Sequence, residues 1–174
     1  MADSVQRLMT PEEFFQWQLG QDDLYELVEG VPVKMLKMMT GTSVQPDLVV
    51  VNLITQLAEQ LRGSRCRPTT DGVAVRTKIR NVRRPDVTVE CAPLVRDTYE
   101  ARDPKLVVEV LSPSTTNVDR VRKLDEYKRH PTLSYILLIE TRAPIAALYV
   151  RRDSDWEDFD FAGLDAVIAP RILR

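Results

Sequence analysis

The chain has 174 residues, 44% hydrophobic and 29% charged, a balance that fits one globular domain spanning 1–174 and excludes collagen-like or low-complexity chains. Its 24 Lys and Arg against 26 Asp and Glu leave a net charge of −2, which excludes a protein that coats nucleic acid nonspecifically but allows a local basic patch. Cys66 and Cys91 give neither a disulfide framework nor zinc-ligand spacing, and residues 1–10 hold no apolar signal core; two reduced thiols in a soluble, cytoplasmic protein are expected.

In chain order, Thr10-Pro11-Glu12-Glu13 reads as a helix start, with a cap, a proline at the first position and acids in the first turn. Residues 24–36 read as two short strands around Glu29-Gly30. Residues 41–47 read as a loop. A helix is predicted from about Asp47 to Arg62, ended by Gly63. Leu48, Val51, Ile54, Leu57, Ala58 and Leu61 recur at spacings of three and four and define its apolar side. Strands are predicted at 73–79, 86–91 and 106–111, the last a nearly continuous run of the kind a buried central strand carries. A turn at 112–116, a helix over 118–129 ended by His130-Pro131, and strands at 134–140 and 145–151 complete the pattern. From Asp153 the sequence reads as an acidic, then apolar, tail. The order predicts an α/β fold with one mixed sheet flanked by helices.

Two carboxylates stand out by their surroundings. Asp86 follows Pro85 at the head of Val87-Thr88-Val89, and Glu109 lies inside Leu106-Val107-Val108-Glu109-Val110-Leu111. An ionised carboxylate in such a strand is costly unless compensated. A divalent cation could compensate both, since Mg²⁺ takes oxygen ligands from one or two carboxylates. An arginine partner or an edge position facing water would explain Glu109 equally well in isolation.

Arg84-Pro85-Asp86-Val87, about twenty residues, then Glu109 on a hydrophobic strand resembles the core of the PD-(D/E)XK nucleases. More narrowly, the chain resembles the Uma2-like endonuclease family. That resemblance runs from Thr10-Pro11-Glu12-Glu13-Phe14 through Tyr25-Glu26-Leu27-Val28-Glu29-Gly30 to Glu109-Val110-Leu111-Ser112-Pro113-Ser114-Thr115. It closes on Asp119, Lys123, Tyr127 and the 135–139 strand. It implies a restriction-endonuclease-like fold and Mg²⁺- or Mn²⁺-dependent hydrolysis of phosphodiester bonds in nucleic acid, DNA being expected. Asp86, Glu109 and the Val110 carbonyl would be the metal ligands.

The superfamily pattern places a lysine two residues after the second acid, where this chain has Leu111. The resemblance assigns that role to Lys123 on the following helix; spacing alone would make Asp119 and Lys123 a surface pair. Glu26, Ser112, Asp119 and Tyr127 are candidate supporting residues, with Glu59 a rival third acid. The family often carries a histidine before the first long helix, where this chain has Gln45-Pro46-Asp47. Asp47 could substitute, whereas His130, at a helix end, is expected to cap carbonyls or face solvent. Arg76, Lys78, Arg83 and Arg84 form a basic cluster expected to hold a phosphate backbone, or else to be a solvated strand face.

The competing expectations are a module that kept the fold and lost the chemistry, favoured by Leu111 and the missing histidine, and a structural homo-oligomer pairing through a strand edge. A homodimer is also expected if both strands of a duplex are cut.

Overall fold

A computed structural model describes residues 7–35, 44–111 and 117–168. Helix α1 (Pro11–Gln18) starts in a capping box: the Thr10 hydroxyl accepts from the Glu13 amide, and the Glu13 carboxylate accepts from the Thr10 amide. Phe14 on its inner side is fully buried. Strands β1 (Tyr25–Val28) and β2 (Val31–Lys34) form an antiparallel hairpin. Its turn has positive φ at both Glu29 (50°) and Gly30 (84°), the backbone that matches strand twist in two-residue turns. Helix α2 (Gln45–Gln60) begins two residues before the predicted start.

Strands β3 (Arg67–Thr70), β4 (Val75–Lys78), β5 (Asn81–Arg83), β6 (Val87–Glu90) and β7 (Pro104–Leu111) follow. Helix α3 (Asn117–Lys128) then leads to β8 (Tyr135–Glu140), β9 (Ile145–Arg152) and β10 (Asp155–Ala162). The strands form two sheets rather than one: an antiparallel β2-β1-β5-β4 sheet and a six-stranded β10-β9-β8-β7-β6-β3 sheet. Among the described strands only the β7–β8 pair is parallel, with α3 as its crossover. The mixed α/β class is as expected. The second sheet arises because the predicted strand at 73–79 turns back on itself as the β4–β5 hairpin, which joins β1 instead of β6.

Side-chain alternation along β7 divides the large sheet into two faces. Leu106, Val108 and Val110 pack with Leu57 of α2 and with Leu61 at its C-cap. Val107 and Leu111 pack with Tyr127 of α3 and with Val75. Glu109 shares the parity of the second set and therefore faces α3.

Two expectations are corrected. The acidic tail is in fact β10, paired with β9 along its whole length through a turn at Asp153 (φ 53°). It escaped recognition because most of its residues are exposed, so no apolar run announces it. The thiols are not reduced: Cys66 and Cys91 form a disulfide with Cα atoms 4.0 Å apart. The ladder pairs Arg67 with Glu90, which sets the flanking residues 66 and 91 opposite each other despite a sequence separation of 25. Among the described residues no helix is long and apolar enough to cross a membrane.

Candidate active site

The β6–β7 ladder pairs Val87 with Val108, so Asp86, one residue before β6, stands across from Glu109. Opposed antiparallel residues project to the same face, with Cβ atoms about 5 Å apart. The Asp86 carboxylate also accepts the Val110 amide at 2.7 Å, which ties the head of β6 to the end of β7. The two predicted acids and Val110 are therefore brought together at one end of the large sheet. Pro85 is buried beside Asp86 and holds φ near its fixed value at this bend.

Helix α3 supplies the rest. Asp119, Lys123, Glu126 and Tyr127, spaced four, three and one apart, lie on one helix side. The Lys123 ammonium is 3.0 Å from Glu26 Oε1, 3.5 Å from Glu109 Oε1 and 4.0 Å from Asp119 Oδ2. The Tyr127 hydroxyl donates to Glu109 Oε1 at 2.6 Å. Leu111, at the position where the superfamily has its lysine, is buried in the core beside Tyr127, Leu133 and Ile136, so that position has become part of the packing.

Burial alone would lower the Lys123 pKa, but Glu109, Glu26 and Asp119 outweigh it and hold the ammonium above the usual lysine range. Lys123 is thus held as a cation at neutral pH. Burial would raise Glu26, yet Lys123, Arg83 and the Arg84 amide bring it below the usual carboxylate range. Tyr127 is pushed well up by burial and by Glu109, so its hydroxyl stays a donor.

Behind Lys123 lies a buried network. Arg83 donates Nε and Nη2 to the two Glu126 oxygens, each at 2.8 Å, and Nη1 to Glu26 Oε2 at 3.0 Å. Thr77 and Asn81 also donate to Glu126, at 2.6 and 2.8 Å. Arg84 gives its amide to Glu26 and its guanidinium to the carbonyls of Tyr25, Asp71 and Gly72. This corrects the expected phosphate-binding cluster. Arg83 and Arg84 are 1% and 2% exposed and cannot reach a phosphate. Arg76 is held by Glu12 and Glu100. Lys78 remains partly exposed, 3.9 Å from Glu29. Glu126 was missed entirely, although its place three residues after Lys123 on the same helix side was a usable signal.

Glu59 and Asp47 are exposed on α2, and α2 packs on the face of the large sheet away from Glu109. Neither joins the site. His130 faces neither solvent nor the site; it is buried, accepts the Thr132 amide through its ring, and burial lowers its pKa. Ser112 lies outside the described residues.

The donor set fits a divalent cation in charge. Five carboxylates, Glu26, Asp86, Glu109, Asp119 and Glu126, face three cations, Arg83, Arg84 and Lys123, so 5 − 3 leaves a formal charge of −2. Among the described residues no three His, Cys, Asp or Glu side chains converge as a metal cage. Coordination by two carboxylates, a backbone carbonyl and water is the sparse kind Mg²⁺ accepts.

Comparison with known proteins agrees with this architecture. A protein of Synechocystis sp. named "Uncharacterized protein slr1290" is 32% identical over 160 residues, covering 90% of this chain and 82% of its own length. The Uma2 family model, described as "Putative restriction endonuclease", matches residues 11–174. With this match over nearly the whole chain, and with Asp86 at the head of β6 and Glu109 of β7 set against the lysine of α3, the protein belongs to the Uma2 family.

Proposed function

We propose that the protein is a divalent-metal-dependent nuclease that hydrolyses phosphodiester bonds, with DNA as substrate. The observation that carries this reading is the placement of Asp86 opposite Glu109 with the Lys123 ammonium 3.5 Å from Glu109. Asp86, Glu109 and the Val110 carbonyl would hold Mg²⁺ or Mn²⁺. When bound, the cation supplies Lewis acidity and lowers the pKa of a water. Lys123 orients that water or offsets charge developing on the phosphate. Tyr127 donates to Glu109 Oε1 and so would fix the orientation of the carboxylate that would hold the cation. Asp119 is half exposed at the start of α3, 4.0 Å from the Lys123 ammonium.

Asp86→Ala and Glu109→Ala should abolish Mg²⁺-dependent cleavage of plasmid DNA while leaving the circular dichroism spectrum unchanged. An equally active double alanine variant would refute the assignment. Lys123→Met should lower the rate by about a hundredfold or more, the scale of losing one preorganised group at the developing charge.

A second reading is favoured by one feature, the close pairing of Lys123 with Glu26 and Glu109, which could equally lock a silent site. A nucleic-acid-binding or regulatory module of this kind would bind DNA without cutting it. Mn²⁺ titration followed by thermal shift separates the two, because a ligand of the native state raises its melting temperature. Cleavage together with an Mn²⁺ shift supports the nuclease; DNA binding with neither supports the module.

A further inference from the structure

Helix α3 carries the Lys123 and Tyr127 of the site, yet little apolar packing fixes its rotation about its own axis. Tyr127 is its one fully buried apolar side chain, with Leu124 partly buried beside it. Val118 and Val121 on its first turns are exposed. Its C-terminal end is held by backbone acceptors: Trp156 and Arg151 both donate to the Lys128 carbonyl. Between these ends Arg120 reaches Glu140 at 3.2 Å, Tyr127 reaches Glu109, and Glu126, fully buried, is bonded by Arg83, Thr77 and Asn81 of the β4–β5 hairpin.

Arg83 does more than neutralise Glu126. Its Nε and Nη2 form a fork on that carboxylate, and its Nη1 holds Glu26 Oε2. The opposite oxygen, Glu26 Oε1, is the one that receives Lys123. The same Nη1 lies 3.7 Å from Asp119, two helical turns from Glu126. One planar guanidinium thus spans β1 and two positions of α3. A lysine could not reproduce this, because its ammonium is a point charge without the fork.

We infer that Arg83 is a positioning residue which, through Glu126 and Glu26, fixes the rotation of α3 and aims the Lys123 ammonium at Glu109 without touching substrate. Buried ion pairs seldom add net stability over apolar replacements of similar volume, so a role in geometry accounts for the network better than a role in stability. The effect on rate rests on the nuclease reading above, whereas the effect on the Lys123 position does not.

The test uses the full chain with ¹⁵N-labelled lysine. The Lys123 Nζ resonance is assigned by its loss in Lys123→Met. In the wild type its ammonium, held by three carboxylates, should exchange slowly with water. In the Arg83→Met/Glu126→Leu variant, which removes the pair without leaving a lone buried charge, that protection should fall at least tenfold. In Arg83→Lys, which keeps the charge and loses the fork, protection should also fall. Cleavage by the double variant should drop to within a few-fold of the Lys123→Met rate, and adding Lys123→Met should cost no more than a further few-fold, as expected for groups acting as a unit. Unchanged Lys123 protection in folded Arg83→Lys or in the folded double variant would overturn the inference, whatever the rates. If the double variant does not fold, Glu126→Gln provides the same readout. Lost protection in a protein that cuts no nucleic acid even as wild type would uphold Arg83 and refute the nuclease instead.

Discussion

Tyr127 and Glu109 are joined by a 2.6 Å hydrogen bond on Oε1, the oxygen that also faces the Lys123 ammonium. One carboxylate oxygen is thereby committed to the protein. Tyr127→Phe keeps the ring in its core and removes only the donor. Loss of a buried hydrogen bond to a charged group should cost about 1.5–3 kcal/mol in urea denaturation. Mn²⁺ affinity, measured by calorimetry, should weaken roughly tenfold to a hundredfold, as when a ligand loses its orienting partner. An unchanged affinity would mean that Tyr127 merely fills space.

The pH dependence follows from opposite shifts. Glu26 lies below its ordinary value of 4.5 in the folded state, so its contribution is present above pH 4.5 and is lost as pH falls through the lowered value. Lys123 lies above its ordinary 10.5, so its contribution is full below pH 10.5 and disappears as pH rises through the raised value. These two contributions should be flat between the limits and fall outside them, while buried His130, lowered from its ordinary 6.5, adds a loss as pH falls below 6.5, and Tyr127, raised above its ordinary 10.0, adds one as pH rises above 10.0. In Lys123→Met the alkaline fall should shrink because the titrating group is gone. The acid fall should shrink too, because Glu26 loses a cation that lowers it. Identical profiles for the two proteins would contradict the pairing.

Reduction of Cys66–Cys91 opens a loop of 25 residues. Chain-entropy reasoning gives about 3.5 kcal/mol for a loop of this size. A Cys66→Ala/Cys91→Ala variant should therefore unfold at clearly lower urea than the oxidised wild type and no longer respond to reductant. Coincident transitions in the presence and absence of reductant would show that the bond does not form in solution.

Gly30 has φ of 84°, and a Cβ there would lie 2.9 Å from the Leu8 Cβ. Gly30→Ala should destabilise by roughly 1–3 kcal/mol, since it combines left-handed backbone with a steric overlap. The urea midpoint measures it directly.

Glu109 was readable in the sequence because an acid within a β-branched run contradicts its surroundings, and Asp86 because Pro85 marks the head of a strand. Lys123 was readable only through resemblance, since its spacing to Asp119 is that of any surface pair. The Arg83 network was not readable. Consecutive basic residues suggest a solvated face, yet Val82, Arg83 and Arg84 are all buried, because their partners come from β1 and α3, far away in sequence. The inner side of α2 was only half right. Leu57 and Leu61 are buried, but Leu48 and Val51 are exposed while Val49, Val50 and Leu53 pack inward. A helix apolar on more than one side leaves its rotation undetermined until the sheet beneath it is known.

The outermost strands of the large sheet discourage further strand addition. β10 presents Asp155, Glu157, Asp158 and Asp160 along eight residues, so a second copy approaching in parallel or antiparallel would meet like charge. β3 at the opposite border is four residues long and contains Pro68, which has no amide to offer an incoming neighbour. Growth of the large sheet from molecule to molecule is therefore disfavoured at both of its borders.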